Sequence, residues 1–182
     1  MTDFTIYTMK SAPEAAQPLL EDSIASFGMI PNLHGVMAES PAVLLSYKFL
    51  HTQAQNTSFS PEELTVVWQT ANVEHECHYC VPAHTGIAKS MKVDDSITEA
   101  LRHKTPLPDK LEVLREITKA ILLDRGNPDT AKLTAFFDAG YSKQQLLEII
   151  LILAQKVMSN YINHLADTPV DKAFAKYEWH PA

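Results

Sequence analysis

The sequence predicts an all-α chain forming a single domain over residues 1–182. Three observations carry that prediction. Apolar residues recur at helical spacing in every long segment, alternating strand patterns are almost absent, and the five glycines are few and fall largely where helices should end, as at Gly28, Gly126 and Gly140. With 182 residues, of which 46% are hydrophobic and 20% charged, the chain is long enough to bury about two-thirds of its unfolded surface.

The elements follow in order. From Ala12 to Phe27 apolar positions recur with a helical period; "MIPNLHGVMAESP" then reads as a turn and a short helix, and Pro41 to about Asn56 as another helix. "FSPEEL" opens the next, with Ser60 as N-cap, Pro61 at the first helical position and Glu63 in the capping-box position; it should run to about Val73. The segment "CHYCVPAHTGIAKSM" should begin its helix near Cys77, because Pro82 is tolerable only in a first turn or at a kink. Ser96 to His103 is a short helix, and "LPDKLEVLREITKAILLDRG" a long one closed by Gly126. Asn127-Pro128 starts a helix ending at Gly140, and the last long pattern is capped by Ser142 and stopped by Pro169. A faint repeat links "FSPEELTVVWQTANVEHECHYC" to "YSKQQLLEIILILAQKVMSNYI" and suggests two related helical halves, only the first of which holds cysteines.

Several function classes are disfavoured at once. The formal net charge of −7 and the absence of a Lys/Arg cluster argue against a nucleic-acid partner. The first residues show no basic region followed by an apolar one, so a cytoplasmic location is expected, and the longest apolar run, Ile149 to Ala154, is far short of the roughly 20 residues that span a bilayer. No Gly-rich phosphate loop suggests a nucleotide or flavin cofactor, so reducing equivalents would arrive through another thiol.

"HECHYCVPAH", residues 75–84, holds the chain's only two cysteines, three apart, with a histidine four beyond the second. In a reducing compartment a static disulfide is improbable, which leaves a redox pair, a metal site or plain burial. On a helix beginning near Cys77, that residue, Cys80 and His84 lie along one face. A helix N-terminus favours thiolate over thiol, and His84 at the i+4 position could take the Cys80 proton. This points to Cys80 as the attacking thiol, with Cys77, nearer the exposed helix tip, as its resolving partner and the thiol that meets an external reductant. Zinc is the metal alternative: Cys77, Cys80 and His84, with His75 or His78, make a Cys₂His₂ set possible in composition, although all would come from one chain segment.

"CHYCVPAHTG", preceded by an amphipathic helix, resembles the Cys-x-x-Cys-x-x-x-His signature of the AhpD-like alkylhydroperoxidase group within the carboxymuconolactone decarboxylase family, and "NYINHLADTPVD" resembles that family's terminal helix and the acidic turn after it, so that the resemblance spans a domain core at about residues 40–175. The resemblance implies an oligomeric AhpD-like helical bundle, often a trimer or hexamer, and thiol-dependent reduction of organic hydroperoxides, with a thiol or redox protein as electron donor. The cofactor-free lactone decarboxylases on the same scaffold lack the cysteine pair; such an enzyme, or a zinc-stabilised interaction module, is the alternative. The family's relay glutamate, twelve residues before the first cysteine, is Thr65 here, which leaves Glu62, on roughly the same helix face, as a candidate orienting group. His164 either approaches the site or bonds a backbone carbonyl. The run "LLEIILILA" is apolar on nearly all sides, as a subunit interface or a central bundle helix would be.

Overall fold

The computed structural model describes residues 4–181; residues 1–3 and 182 of the predicted domain lie outside the described residues. Among the described residues the chain is helical with no strand: α1 (Gln17–Phe27), α2 (Asn32–Met37), α3 (Pro41–Gln55), α4 (Pro61–Glu74), α5 (Cys80–Ser90), α6 (Asp95–Arg102), α7 (Asp109–Leu123), α8 (Thr130–Asp138) and α9 (Lys143–Ala166), with 3₁₀ turns at Glu14–Ala16 and Ala175–Tyr177. No helix among them is long and apolar enough to cross a membrane.

The predicted caps form. Ser60 and Glu63 make a reciprocal capping box at α4, and Ser142 and Gln145 make the same box at α9, so the two helices that share the sequence repeat open alike. Gly28 ends α1 with φ 73°, a left-handed conformation that costs glycine no Cβ clash.

Three boundaries differ from expectation. The first helix begins at Gln17 after a 3₁₀ turn, because an earlier start would put Pro18 in the helix interior, where it clashes with the carbonyl four residues back. Helix α8 starts at Thr130, two residues beyond Pro128, because the Asp129 carboxylate caps the Ala131 N–H at 2.7 Å. Helix α5 starts at Cys80 rather than Cys77, since the end of α4 occupies the residues between. The Glu76 N–H donates to the Val73 carbonyl and the Cys77 N–H to the Asn72 carbonyl, the paired bonds of a Schellman motif, with Glu76 left-handed at φ 52°. Pro82 thereby falls in the first turn of α5, where its missing N–H is not needed.

Helix α4 is central and packs on α5, α6, α7 and α9, while α3 lies along α9. Leu64, Val67, Trp68 and Ala71 of α4 meet Leu114 and Ile117 of α7, Phe136 of α8 and Ile149 and Ile152 of α9 in the larger apolar core. A second core joins Leu20 of α1, Leu33 and Met37 of α2, and Leu44 and Tyr47 of α3 to Cys77, Tyr79, Cys80 and Ala83. The thiols belong to this second core, against the N-terminal helices.

Candidate active site

The Schellman turn delivers Cys77 into the capping position of α5. Its Sγ accepts the Cys80 N–H at 3.3 Å, and its carbonyl accepts the Val81 N–H at 3.1 Å. A ladder of buried amides fixes the turn against α4 and α9. Gln69 Nε2 donates to the Val81 carbonyl at 3.1 Å, Asn72 Nδ2 to Gln69 Oε1 at 2.9 Å, and Asn160 Nδ2 to Asn72 Oδ1 at 3.0 Å. His75 closes the ladder on Asn160 Oδ1 at 2.8 Å. Each amide is fully buried and partnered, which holds the two sulfurs in a rigid frame.

Cys80 is the first residue of α5 and lines a cavity of about 600 Å³. Its walls are Phe27 of the first helix, His34, Tyr47 and His51 of α2 and α3, Cys80 and His84 of α5, Lys156 of α9, and Phe174 of the C-terminal segment. The N-terminal wall lies outside the stretch that carries the sequence resemblance. Cys77, by contrast, has no exposed surface and does not line the cavity, so it is not the more exposed of the two thiols. No disulfide joins the pair.

The two thiols are electrostatically unequal. Burial raises the Cys80 pKa, but the Cys77 thiol hydrogen bond, the Lys156 charge and the amides of Asn163 and Asn160 together outweigh it and hold Cys80 below the ordinary thiol value. Asn163 Nδ2 donates to Cys80 Sγ at 3.2 Å, and Ser159 Oγ lies 4.0 Å away. The Cys77 thiol is pushed up, first because its hydrogen is held by the Cys80 sulfur and then by burial. The charged form is thus favoured at Cys80 and the neutral form at Cys77.

His84, expected to act as a base on Cys80, has Lys156 rather than a sulfur as its hydrogen-bond partner. Its Nε2 lies 2.7 Å from Lys156 Nζ, its ring packs edge-on to Trp68 at 4.9 Å, and no hydrogen bond joins it to either sulfur. Burial and the Lys156 charge push it well below the usual histidine range, which keeps it neutral. Glu62 is not brought to the thiols: it is exposed in the first turn of α4 and absent from the cavity wall. Thr65 is buried and spends its hydroxyl on the Pro61 carbonyl at 2.8 Å. His164 is exposed on α9. Tyr79 is buried, and its hydroxyl donates to Asp171 at 2.5 Å while accepting the Leu33 N–H at 3.3 Å, which pins the C-terminal turn to α2.

The zinc set is not assembled. His75 bonds Asn160, His78 bonds the Thr168 carbonyl at 3.0 Å and His84 bonds Lys156; among the described residues no group of three His, Cys, Asp or Glu side chains is placed to hold a metal.

Sequence reading missed Lys156, Asn160 and Asn163. The signal was present: these residues stand at i, i+4 and i+7 in an otherwise apolar helical run, one polar stripe on α9. All three are completely buried, and the stripe faces α4 and α5.

No protein-family model matches the chain, and no curated protein matches its sequence. Solved structures match its shape. An uncharacterized peroxidase-related protein with an alkylhydroperoxidase AhpD core, from Ralstonia eutropha JMP134, superposes with a TM-score of 0.81 at 15% identity over 96% of both chains. An uncharacterized peroxidase-related protein from Silicibacter sp. TM1040 gives 0.79 at 16% identity over 96% of both. The debrominase Bmp8, as a cysteine-to-alanine variant in complex with 2,3,4-tribromopyrrole, gives 0.78 at 17% identity over 95% of this chain and 94% of that one. The chain has an AhpD-like fold.

Proposed function

We propose that this chain is a two-cysteine thiol reductase of small organic substrates, with organic hydroperoxides as the substrate class. The observation that carries the reading is a thiolate-favoured sulfur, Cys80, at the wall of a 600 Å³ cavity, with a second thiol, Cys77, whose Sγ accepts the Cys80 N–H at 3.3 Å and whose neutral form is favoured. Cys80 attacks the outer oxygen of the O–O bond; an S–O bond forms, the alkoxide leaves, and Cys80 becomes a sulfenic acid. Cys77 then attacks that sulfur, forming the disulfide and releasing water. An external dithiol returns both sulfurs to the starting state.

A cavity of this size suits an organic ligand rather than hydrogen peroxide alone, and its walls of Phe27, Tyr47, His34, His51 and Phe174 favour an apolar or aromatic one. Turnover of cumene hydroperoxide with a dithiol reductant should be lost in Cys80→Ser; a variant that keeps full turnover defeats the proposal.

The likeness to the debrominase Bmp8 favours one second reading, reductive dehalogenation of a small aromatic. The same thiolate would take the halogen as the carbon–halogen bond breaks, the ring carbon would take up a proton, and Cys77 would then attack the sulfur, displacing halide and releasing its own proton to give the same disulfide. Halide release from a bromopyrrole, lost in Cys80→Ser, is its test.

A further inference from the structure

The thiolate chemistry leaves one buried group without a task. Lys156 has no exposed surface, forms no ion pair with a carboxylate among the described residues, and makes one side-chain hydrogen bond, to His84 Nε2 at 2.7 Å. An unpaired buried ammonium is costly and needs a compensating charge. What compensates it here is the cysteine pair, above all the Cys80 thiolate: Cys80 first and Cys77 second favour its charged form, against the larger effect of burial.

The bond to His84 fixes a tautomer. An ammonium can only donate, so Nε2 of the neutral imidazole must accept, and the ring proton sits on Nδ1. His84 Nδ1 is buried and has no hydrogen-bond partner, although the His84 ring lines the cavity beside Cys80. A buried donor left unpaired in this way is one that a ligand can satisfy. The remaining groups facing the pair are His51, neutral and held by Gln155 at 3.1 Å, and Trp68, whose N–H donates to Gln155 at 2.8 Å; neither competes for Nδ1.

We propose that Lys156 and His84 form the proton relay for the leaving group: His84 Nδ1–H protonates the departing alkoxide while Lys156 passes a proton to Nε2. His84 is the catalytic acid, and Lys156 is the positioning residue and proton store behind it. The inference rests on the peroxide-reductase reading above.

The balance closes over the cycle. Cys80 thiolate and hydroperoxide give Cys80 sulfenic acid and alcohol, the alcohol's proton coming ultimately from Lys156, which ends as a neutral amine. Attack by Cys77 forms the S–S bond and releases water made from the sulfenic hydroxyl and the Cys77 proton. The incoming dithiol reduces the disulfide to Cys80 thiolate and Cys77 thiol with one proton to spare, and that proton recharges Lys156. The charge on Lys156 is therefore present when the thiolate is present and leaves when the thiolate is consumed. The site never holds an uncompensated buried ion.

Two oxidants separate proton delivery from thiolate stabilisation. The alkoxide from tert-butyl hydroperoxide is a strong base that needs a proton as it leaves, whereas the carboxylate from peracetic acid needs none. Single-turnover oxidation of Cys80 is measured at pH 7 with each, in the full chain and in Lys156→Met. Loss of the Lys156 charge lowers the thiolate population equally for both oxidants, so the ratio of the two rates isolates the relay. We expect the ratio of alkyl hydroperoxide rate to peracid rate to fall about 100-fold in Lys156→Met, the order of a lost general acid. His84→Gln should give the same change, and it carries the test alone if Lys156→Met does not fold. An unchanged ratio in a folded variant overturns the relay while leaving the reductase reading standing. A wild-type protein inert to both oxidants overturns that reading, and the relay with it.

Discussion

Asn163 is the residue on which the reactivity of Cys80 most simply turns. Its amide is fully buried and donates to Cys80 Sγ at 3.2 Å, and a hydrogen bond to a charged group contributes about 1.5–3 kcal/mol. Asn163→Ala should therefore raise the Cys80 pKa by about one unit or more, at about 1.4 kcal/mol per unit. Thiolate absorbance followed against pH reads this directly; an unmoved midpoint would mean that Lys156 and Cys77 suffice. The sign also fixes the pH profile: because Cys80 is held below the ordinary thiol value, its alkylation rate at pH 7 should already be near its plateau in the wild type and still rising in Asn163→Ala. At this scale the cysteines and His84 were legible because their chemistry and spacing are local. The role of His84 was not, because Lys156 sits 72 residues away and only tertiary packing brings it to Nε2.

Among the elements, the α4–α5 turn and the C-terminal segment do the positioning. Glu76 holds φ 52° without a glycine, which costs an L-residue roughly 1–2 kcal/mol. Glu76→Gly should accordingly raise stability by about 1 kcal/mol in urea unfolding; a loss would indicate that the Glu76 side chain has a partner role. The C-terminal segment is held differently. Gly86 leaves room for Phe174, whose ring carbons would stand 2.7 and 2.8 Å from an added Cβ, and Arg102 donates to the carbonyls of Tyr177 and Glu178 at 2.9 and 3.1 Å. In Gly86→Ala the gain in helix propensity, about 1 kcal/mol, is opposed by an overpacking cost of about 1–3 kcal/mol, and Phe174 must leave the cavity wall. Faster tryptic cleavage at Lys172 and Lys176 is the expected result, and an unchanged rate would show that Arg102 alone holds the segment. The capping boxes of α4 and α9 were legible as short motifs. The start of α5 was displaced because a Schellman turn with a non-glycine residue leaves no glycine to announce it.

Across the whole molecule, two properties follow from where groups are buried. His34 and His51 are pushed down by burial to about 3 and about 4, so the unfolded chain binds more protons than the native one below the ordinary histidine value near 6.5. Native stability should hold above that value and fall as pH drops from about 6.5 toward 4, by about 1.4 kcal/mol per pH unit for each histidine. Urea midpoints that stay constant between pH 7 and pH 5 would contradict this. The second property is an apolar stripe along α9, with Leu147 71% and Leu165 72% exposed, continued by Ile150 and Tyr161 and flanked by Leu45 and Phe49 of α3. We propose this face as the contact between copies of the chain, in keeping with the oligomer that the family resemblance implies. Light scattering should give a multiple of 20.3 kDa for the wild type and a smaller mass for Leu147→Lys with Leu165→Lys; a wild-type monomer would remove the claim. The all-α class was readable from helical periodicity, the near absence of strand patterns and the placement of the glycines. The N-terminal cavity wall was not, since Phe27 and His34 carry no local mark of what they face and acquire it only through packing against α3 and α5.

The most direct test is the intact mass of the reduced protein before and after one equivalent of an organic hydroperoxide, beside Cys77→Ser and Cys80→Ser. The account predicts loss of two hydrogens in the wild type, a trappable sulfenic acid in Cys77→Ser and no reaction in Cys80→Ser. An unchanged wild-type mass, or a sulfenic acid appearing on Cys77 instead, would contradict it.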